Sequence, residues 1–231
     1  MSDYPTTKNP PELRPRITVS EHGPYFASGG IALTVRIPRL DEHSEPVDWA
    51  VGETRPRRAT YVLCRCGRSG DKPFCDGAHR KVGFDGSCTA DHAPGATRRK
   101  VYTGPEITMT DDESLCAGYA FCDTHGGVWR EMAQSTDSAV KERLQRQIAN
   151  CPSGRLQYSL QNARGPVEKH YEPTIATIPD GPLWILGGIP VEAHDGFTYE
   201  VRNRQLLCRC GASRNKPFCD GSHRRVNFQA P

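Results

Sequence analysis

Cys208-Arg209-Cys210-Gly211-Ala212-Ser213-Arg214-Asn215-Lys216-Pro217-Phe218-Cys219-Asp220-Gly221-Ser222-His223 is the stretch on which the fold turns. The same pattern stands near the front as Cys64-Arg65-Cys66-Gly67-Arg68-Ser69-Gly70-Asp71-Lys72-Pro73-Phe74-Cys75-Asp76-Gly77-Ala78-His79. Every cysteine, the Ser, the Lys-Pro-Phe and the His keep their spacing, which makes coincidence implausible. With 22 Gly, 19 Pro and 36% hydrophobic residues in a 231-residue chain, small loop-rich modules are expected, and such modules need staples. All ten cysteines except Cys88 fall into three clusters at or near metal-ligand spacing, two with a histidine in register. Reduced thiols, and so a cytoplasmic protein, are the expectation.

The repeat extends beyond the cysteines. Ile17-Thr-Val-Ser-Glu-His-Gly-Pro-Tyr-Phe-Ala-Ser-Gly-Gly-Ile31 and Ile175-Ala-Thr-Ile-Pro-Asp-Gly-Pro-Leu-Trp-Ile-Leu-Gly-Gly-Ile189 share their Ile, Gly-Pro and Gly-Gly-Ile positions. Each copy therefore reads as a β-rich segment with a Gly-Pro turn, a connection and a cysteine cluster. Gly23 and Gly181 are 158 positions apart but Cys64 and Cys208 only 144, so the first copy carries 14 extra residues, expected as a surface loop over His43 to Arg58. The polar, proline-rich start reads as a disordered tail (1–15), neither signal nor anchor. No apolar run approaches membrane-spanning length. A formal charge of +3 gives no reason for a nucleic-acid partner, and the basic groups Arg55 to Arg58, Arg98 to Lys100 and Arg224-Arg225 read as solvated surface. The domains expected are 16–90, 100–160 and 167–231, with a turn-rich linker over Ser87 to Arg99 and a second over Gln161 to Gly165.

Residues two apart in an extended segment point to one side, so Cys64 and Cys66 can reach one metal ion. Cys75/His79 and Cys219/His223, four apart, share a face of a helical turn, which Asp76 or Asp220 is placed to cap. Three cysteines and one histidine form a common zinc set. The pattern Cys-x-Cys-x2-Ser-x3-Pro-x-Cys-Asp-Gly-(Ser/Ala)-His, however, resembles the signature of the CDGSH iron–sulfur family at every position in both copies. The resemblance implies two [2Fe-2S] clusters, one held by Cys64, Cys66, Cys75 and His79, the other by Cys208, Cys210, Cys219 and His223. Family members commonly dimerise by exchanging β-strands. Here one chain holds both halves, so the expected fold is α+β and β-rich: an intramolecular pseudo-dimer with a shared β-sheet, monomeric, with an inserted third domain. A neutral imidazole in place of a thiolate raises the reduction potential and makes the site sensitive to protonation.

In the middle unit, Val101-Tyr102 and Ile107-Thr108-Met109 read as short strands and Asp137 to Asn150 as a helix with Val140, Leu144 and Ile148 on one face. Cys116-x5-Cys122, followed by Cys151-Pro152, resembles a divergent single-cluster ferredoxin. Tyr119 stands where a fourth cysteine is usual, so the three thiols suit [3Fe-4S], with [4Fe-4S] the other form. His125 reads as a solvated loop residue and Cys88 as a buried apolar one.

No Ser-His-Asp order, phosphate-binding glycine loop or carboxylate pair points to a substrate pocket, so no enzyme is expected. The expected function is single-electron transfer to redox partner proteins. The alternative is a cluster carrier or redox/pH sensor that hands its cluster to an apo-acceptor.

Overall fold

The computed structural model describes residues 14–161 and 163–231, so nearly all of the expected tail lies outside the described residues. In the first copy, β1 (Arg16–Val19) and β2 (Tyr25–Ser28) form a hairpin across the Gly23-Pro24 turn. Ile17 and Val19 face inward while Arg16 and Thr18 do not, the period of two expected of a half-buried strand. Then follow β3 (Ala32–Leu40), β4 (Pro46–Arg55), β5 (Thr60–Leu63) and the single turn α1 (Ala78–Lys81). The middle unit holds β6 (Lys100–Thr103), β7 (Ile107–Asp111), α2 (Val128–Glu131), α3 (Ser138–Ala149) and β8 (Leu156–Leu160). The second copy holds β9 (Thr174–Thr177), β10 (Leu183–Leu186), β11 (Val191–Glu192), β12 (Arg204–Leu207) and the turn α4 (Ser222–Arg225).

The copies are joined by strand exchange, and the shared β-structure of the expected pseudo-dimer forms two sheets. One runs β11-β1-β2-β5 and the other β12-β10-β9-β3-β4. Strand β3 leaves its own copy to pair in parallel with β9, and β11 leaves the second copy to pair in parallel with β1. The pairs Ile17↔Val191 and Leu33↔Ile175 interchange under the same 158-residue offset, so a pseudo-two-fold axis relates the two exchanges. Ile17, Tyr25, Leu33 and Leu63 share one buried cluster with Ile175, Leu183, Val191 and Leu207. That core belongs to both copies, and neither can bury its apolar face without the other.

The extra residues of the first copy are not a loop. Pro46–Arg55 is a ten-residue strand in a long hairpin with β3. It carries Trp49 into an aromatic group with Trp184 at 4.6 Å, Phe121 at 5.1 Å and Tyr119 at 5.5 Å. The Trp49 indole N–H donates to Asn150 O at 3.0 Å, and Asn150 Nδ2 donates to Val47 O at 2.9 Å. The insertion thus braces the middle unit at the end of α3.

In the middle unit β6, β7 and β8 form an antiparallel sheet under α3. Ile107, Met109, Leu144, Ile148 and Leu156 are fully buried between them. Asp137 caps α3, its Oδ1 accepting from Ala139 N and Val140 N. The other end is finished by Arg204 of β12, whose Nη1 donates to the carbonyls of Ile148, Ala149 and Cys151 at 3.0, 3.0 and 2.6 Å. Terminal carbonyls left over by a helix need such donors, and a cation there also favours the helix dipole. The 87–99 linker is pinned: Thr89 N and Ala90 N donate to Lys216 O, and Gly95 N to Glu200 Oε2. No helix among the described residues is long and apolar enough to cross a membrane.

Candidate metal centres

Each cysteine motif folds on the same frame. Cys64 N donates to Pro73 O at 2.8 Å and Cys75 N to Val62 O at 2.8 Å; in the second copy Cys208 N reaches Pro217 O and Cys219 N reaches Leu206 O, both at 2.9 Å. Ser69 Oγ donates to Phe74 O and accepts from Asp71 N, as Ser213 Oγ does with Phe218 O and Asn215 N. The expected Asp cap is there, one residue earlier than a standard N-cap. Gly77 and Gly221 hold the cap position in left-handed conformation, while Asp76 and Asp220 accept from the next N–H, of Ala78 or Ser222, and from Gly70 N or Arg214 N. The residue inside Cys-x-Cys is a part the sequence reading passed over. Arg65 and Arg209, each 1% exposed, brace the loops from within: Arg65 Nη1 donates to Ser20 O, and Arg209 to the carbonyls of Gly181, Ile178 and Pro231. The same arginine at this position in both copies was the available signal.

The ligand candidates are gathered in pairs. Cys64 Sγ lies 3.9 Å from Cys66 Sγ, and Cys75 Sγ 3.4 Å from His79 Nδ1; the second copy gives 3.6 Å for Cys208/Cys210 and 3.4 Å for Cys219/His223. Two thiolates on one tetrahedral metal at about 2.3 Å would stand about 3.7 Å apart, so each cysteine pair has the spacing of a shared ion. The four donors of each copy thus stand as two pairs, Cys-x-Cys and Cys/His, a set that fits metal binding through sulfur and imidazole. Backbone N–H groups of Arg68, Gly77 and Gly221 donate to the Cys66, Cys75 and Cys219 sulfurs at 3.4 Å, which favours sulfur in its charged form.

In the metal-free chain burial works the other way on the Cys66 thiol. Burial, with lesser contributions from Cys64 and Cys75, pushes Cys66 up to about 11, and metal binding must release such protons. Burial followed by the Arg224 charge holds His223 down at about 4, leaving its ring neutral and its nitrogen free to bind metal.

The two sites touch. A Cβ on Gly67 would stand 2.6 Å from Cys210 O, and one on Gly211 2.7 Å from Cys66 O. Only glycine, at φ +77° and +82°, lets these ligand loops meet back to back. Tyr25 of the first copy adds a tie, its hydroxyl donating to Cys208 O at 2.7 Å.

In the middle unit Cys116, Cys122 and Cys151 line one cavity of about 70 Å³ together with Tyr119 and Arg155. Burial, then Asp123 and Cys151, push Cys122 up to about 12. Arg155 is anchored to the fully buried Asp111 through two hydrogen bonds, at 2.6 and 2.8 Å, placing a cation against the cavity. His125 is exposed and Cys88 half-buried, held 3.6 Å from Arg65 Nη2; neither lines the cavity. Tyr119 turns toward the second copy, its ring stacked on His223 at 6.2 Å and its hydroxyl against Gly181.

Family comparison agrees with this division. Residues 22–80 and 180–224 match the family described as iron-binding zinc finger CDGSH type, and residues 102–161 match the divergent 4Fe-4S mono-cluster family. No curated protein and no solved structure matches the chain. With the motif repeated in full, the donors paired in each copy and both family matches falling on the units seen in the fold, the chain is an iron–sulfur protein carrying two CDGSH-type regions on either side of a divergent 4Fe-4S mono-cluster region.

Proposed function

We propose that this chain carries single electrons between redox partner proteins, without catalysing a reaction of its own, using two [2Fe-2S] sites and a third site in the middle unit. Cys64, Cys66, Cys75 and His79 would hold the first cluster, and Cys208, Cys210, Cys219 and His223 the second. Cys116, Cys122 and Cys151 would hold a [3Fe-4S] or [4Fe-4S] group. Such clusters supply a one-electron couple whose potential is set by ligand charge, hydrogen bonds to sulfur and exposure.

The observation that carries the reading is contiguity. The middle cavity reaches the second site through Tyr119, whose ring stacks on His223, and the second site reaches the first through the Gly67/Cys210 and Gly211/Cys66 contacts. The residues' own tasks are to hold the ligand loops at that separation, to keep His223 neutral and to exclude water from Cys219 and His223. A cluster-carrier role is the second reading, favoured by the half-exposed Cys75 and His79. The free state of all ten cysteines is in keeping with a reducing, cytoplasmic setting.

The test is iron, sulfide and zinc content of anaerobically purified protein, with electron paramagnetic resonance before and after reduction. About seven or eight iron per chain, reversibly reduced with iron retained, is the expected result. Colourless zinc protein from iron-replete cells would overturn the proposal, and His79-dependent transfer of iron and sulfide to an apo-acceptor would select the carrier reading.

A further inference from the structure

The two CDGSH copies present the same donors to different surroundings. At the first site Cys75 and His79 are half-exposed and open onto a broad depression formed with His22, Phe26, Val62 and Phe84. At the second, Cys219 is 2% and His223 5% exposed. The cover is the 114–121 loop of the middle unit. Asn215 Nδ2 donates to Ser114 O at 2.9 Å, the Tyr119 ring lies on His223, and the Arg224 guanidinium sits over that ring at 5.4 Å. The glycines after the Asp mark the difference cleanly: a Cβ on Gly221 would meet Ala117 O at 3.2 Å, while one on Gly77 would have nothing within 4 Å. In the groove shared by the two Cys-x-Cys loops the order is the reverse, Cys66 being buried and Cys210 partly exposed, so the cover at the second site lies on its Cys219/His223 side.

We propose that the first CDGSH site is the port through which iron and electrons pass between this chain and the outside, its Cys75/His79 side being open, and that the second is an internal station whose Cys219/His223 side is covered by the 114–121 loop. This rests on the cluster reading above and adds an order to it: outside, first site, second site, middle cavity. Exchange of metal or contact with a partner then takes place on the Cys75/His79 face. Tyr119 acts as a positioning residue, its ring closing the approach to His223.

The experiment uses the full-length, iron-loaded protein, reduced anaerobically and exposed to excess bathophenanthroline disulfonate, with released iron and the visible spectrum followed in time. His79→Cys and His223→Cys, made singly, mark each site by its altered spectrum and so assign the phases. The expected result is loss of one CDGSH site at least about tenfold faster than the other, the fast one being that marked by His79→Cys, because removal from a covered site requires local opening first. Tyr119→Ala or Asn215→Ala should speed the slow phase, while Tyr119→Phe, which keeps the ring, should not. A common rate for both sites, or earlier loss from the site marked by His223→Cys, would overturn the proposal. Iron content before chelator is added separates this from failure of the cluster reading itself, since a chain without iron at these residues sinks both.

Discussion

Gly67→Ala is the sharpest probe of how the two ligand loops are held. The new methyl carbon would lie 2.6 Å from Cys210 O, 2.9 Å from Cys210 C and 3.0 Å from Cys210 Cα. All three are backbone atoms of a loop fixed by the Cys208 N to Pro217 O bond and by Arg209, so no flexible side chain can give way. Two costs combine. A non-glycine residue at φ +77° loses about 1–2 kcal/mol, and overpacking a tight contact typically adds about 1–3 kcal/mol. The expected destabilisation is therefore about 2–5 kcal/mol, or a fall in Tm on the order of 5–20 °C for a chain of this length. Gly83→Ala is the matched control: φ is +59°, but nothing lies within 4 Å of the new methyl, so only the conformational cost of about 1–2 kcal/mol applies. Thermal and denaturant unfolding of both variants, prepared with equal iron content, is the assay. Equal losses for the two would refute the claim that the sites are packed against each other through these glycines.

Four further outcomes are expected. Cys116→Ser, Cys122→Ser or Cys151→Ser should each remove about three or four iron per chain while the signals of the two CDGSH sites persist; unchanged iron would show the middle cavity to be vacant in the parent protein. His79→Cys or His223→Cys adds an anionic ligand and should lower the reduction potential of the site concerned in a redox titration, and an unmoved potential would remove that histidine from the ligand set. Trp49→Ala should cost about 2–4 kcal/mol, since it empties the aromatic group joining β4 to Trp184, Phe121 and Tyr119, and limited proteolysis should then release the middle unit first. Desolvation pulls the Glu168 carboxyl up, but the hydrogen bonds and charge of Arg204, with Gln157 and Asn203, outweigh it and leave it below the ordinary glutamate value. A depressed carboxyl contributes stability that is present above its unfolded pKa of about 4.3 and lost as pH falls through the lower folded value. Glu168→Gln, which strips the buried Arg204 of its ion pair, should therefore cost about 2–4 kcal/mol at pH 7 by denaturant unfolding, with the gap to the parent narrowing only below about pH 4. A gap that is constant from pH 7 to pH 3 would contradict the pairing.

Much of the fold could be read ahead of the structure because the chain states it twice. The Ile17/Ile175 and Gly23/Gly181 matches give the strand equivalences, and the cysteine spacing gives the donor pairs. Equivalence does not say which copy a strand pairs with, however. Exchange of β3 and β11 is a long-range choice, made where Leu33 meets Ile175 and Val191 meets Ile17, and nothing local encodes it. The strand Pro46–Arg55 was hidden by Asp48, Glu53 and Arg55, although Val47, Trp49 and Val51 alternate in the strand period. Its pairing partner is β3, and Val47 and Val51 stay exposed, so the ladder to β3 and the contacts of Trp49, not burial of an apolar face, hold the strand. Tyr119 looked like a gap in a ferredoxin pattern. Its place against His223 depends on how the middle unit docks, which a one-dimensional spacing cannot express.

Placing both copies in one chain has a physical consequence that a dimer of identical subunits lacks. A two-fold homodimer repeats every contact, so its two sites have equal exposure and, with it, equal tendency to lose or exchange metal. Here the symmetry survives where it builds the scaffold, in the paired exchanges Ile17↔Val191 and Leu33↔Ile175 and in the reciprocal Gly67 and Gly211 contacts. It breaks where the middle unit lands. The single strand β4, present in one copy only, and Arg204, which caps α3 from the other, dock that unit over Cys219 and His223 alone. Burial changes both the solvation of a cluster and the access of its ligands, the two levers that separate the potentials and lifetimes of chemically identical sites. One-sided docking thus gives the same sixteen-residue pattern an open and a covered Cys/His side, the outer and inner stations on which the proposed electron path is built.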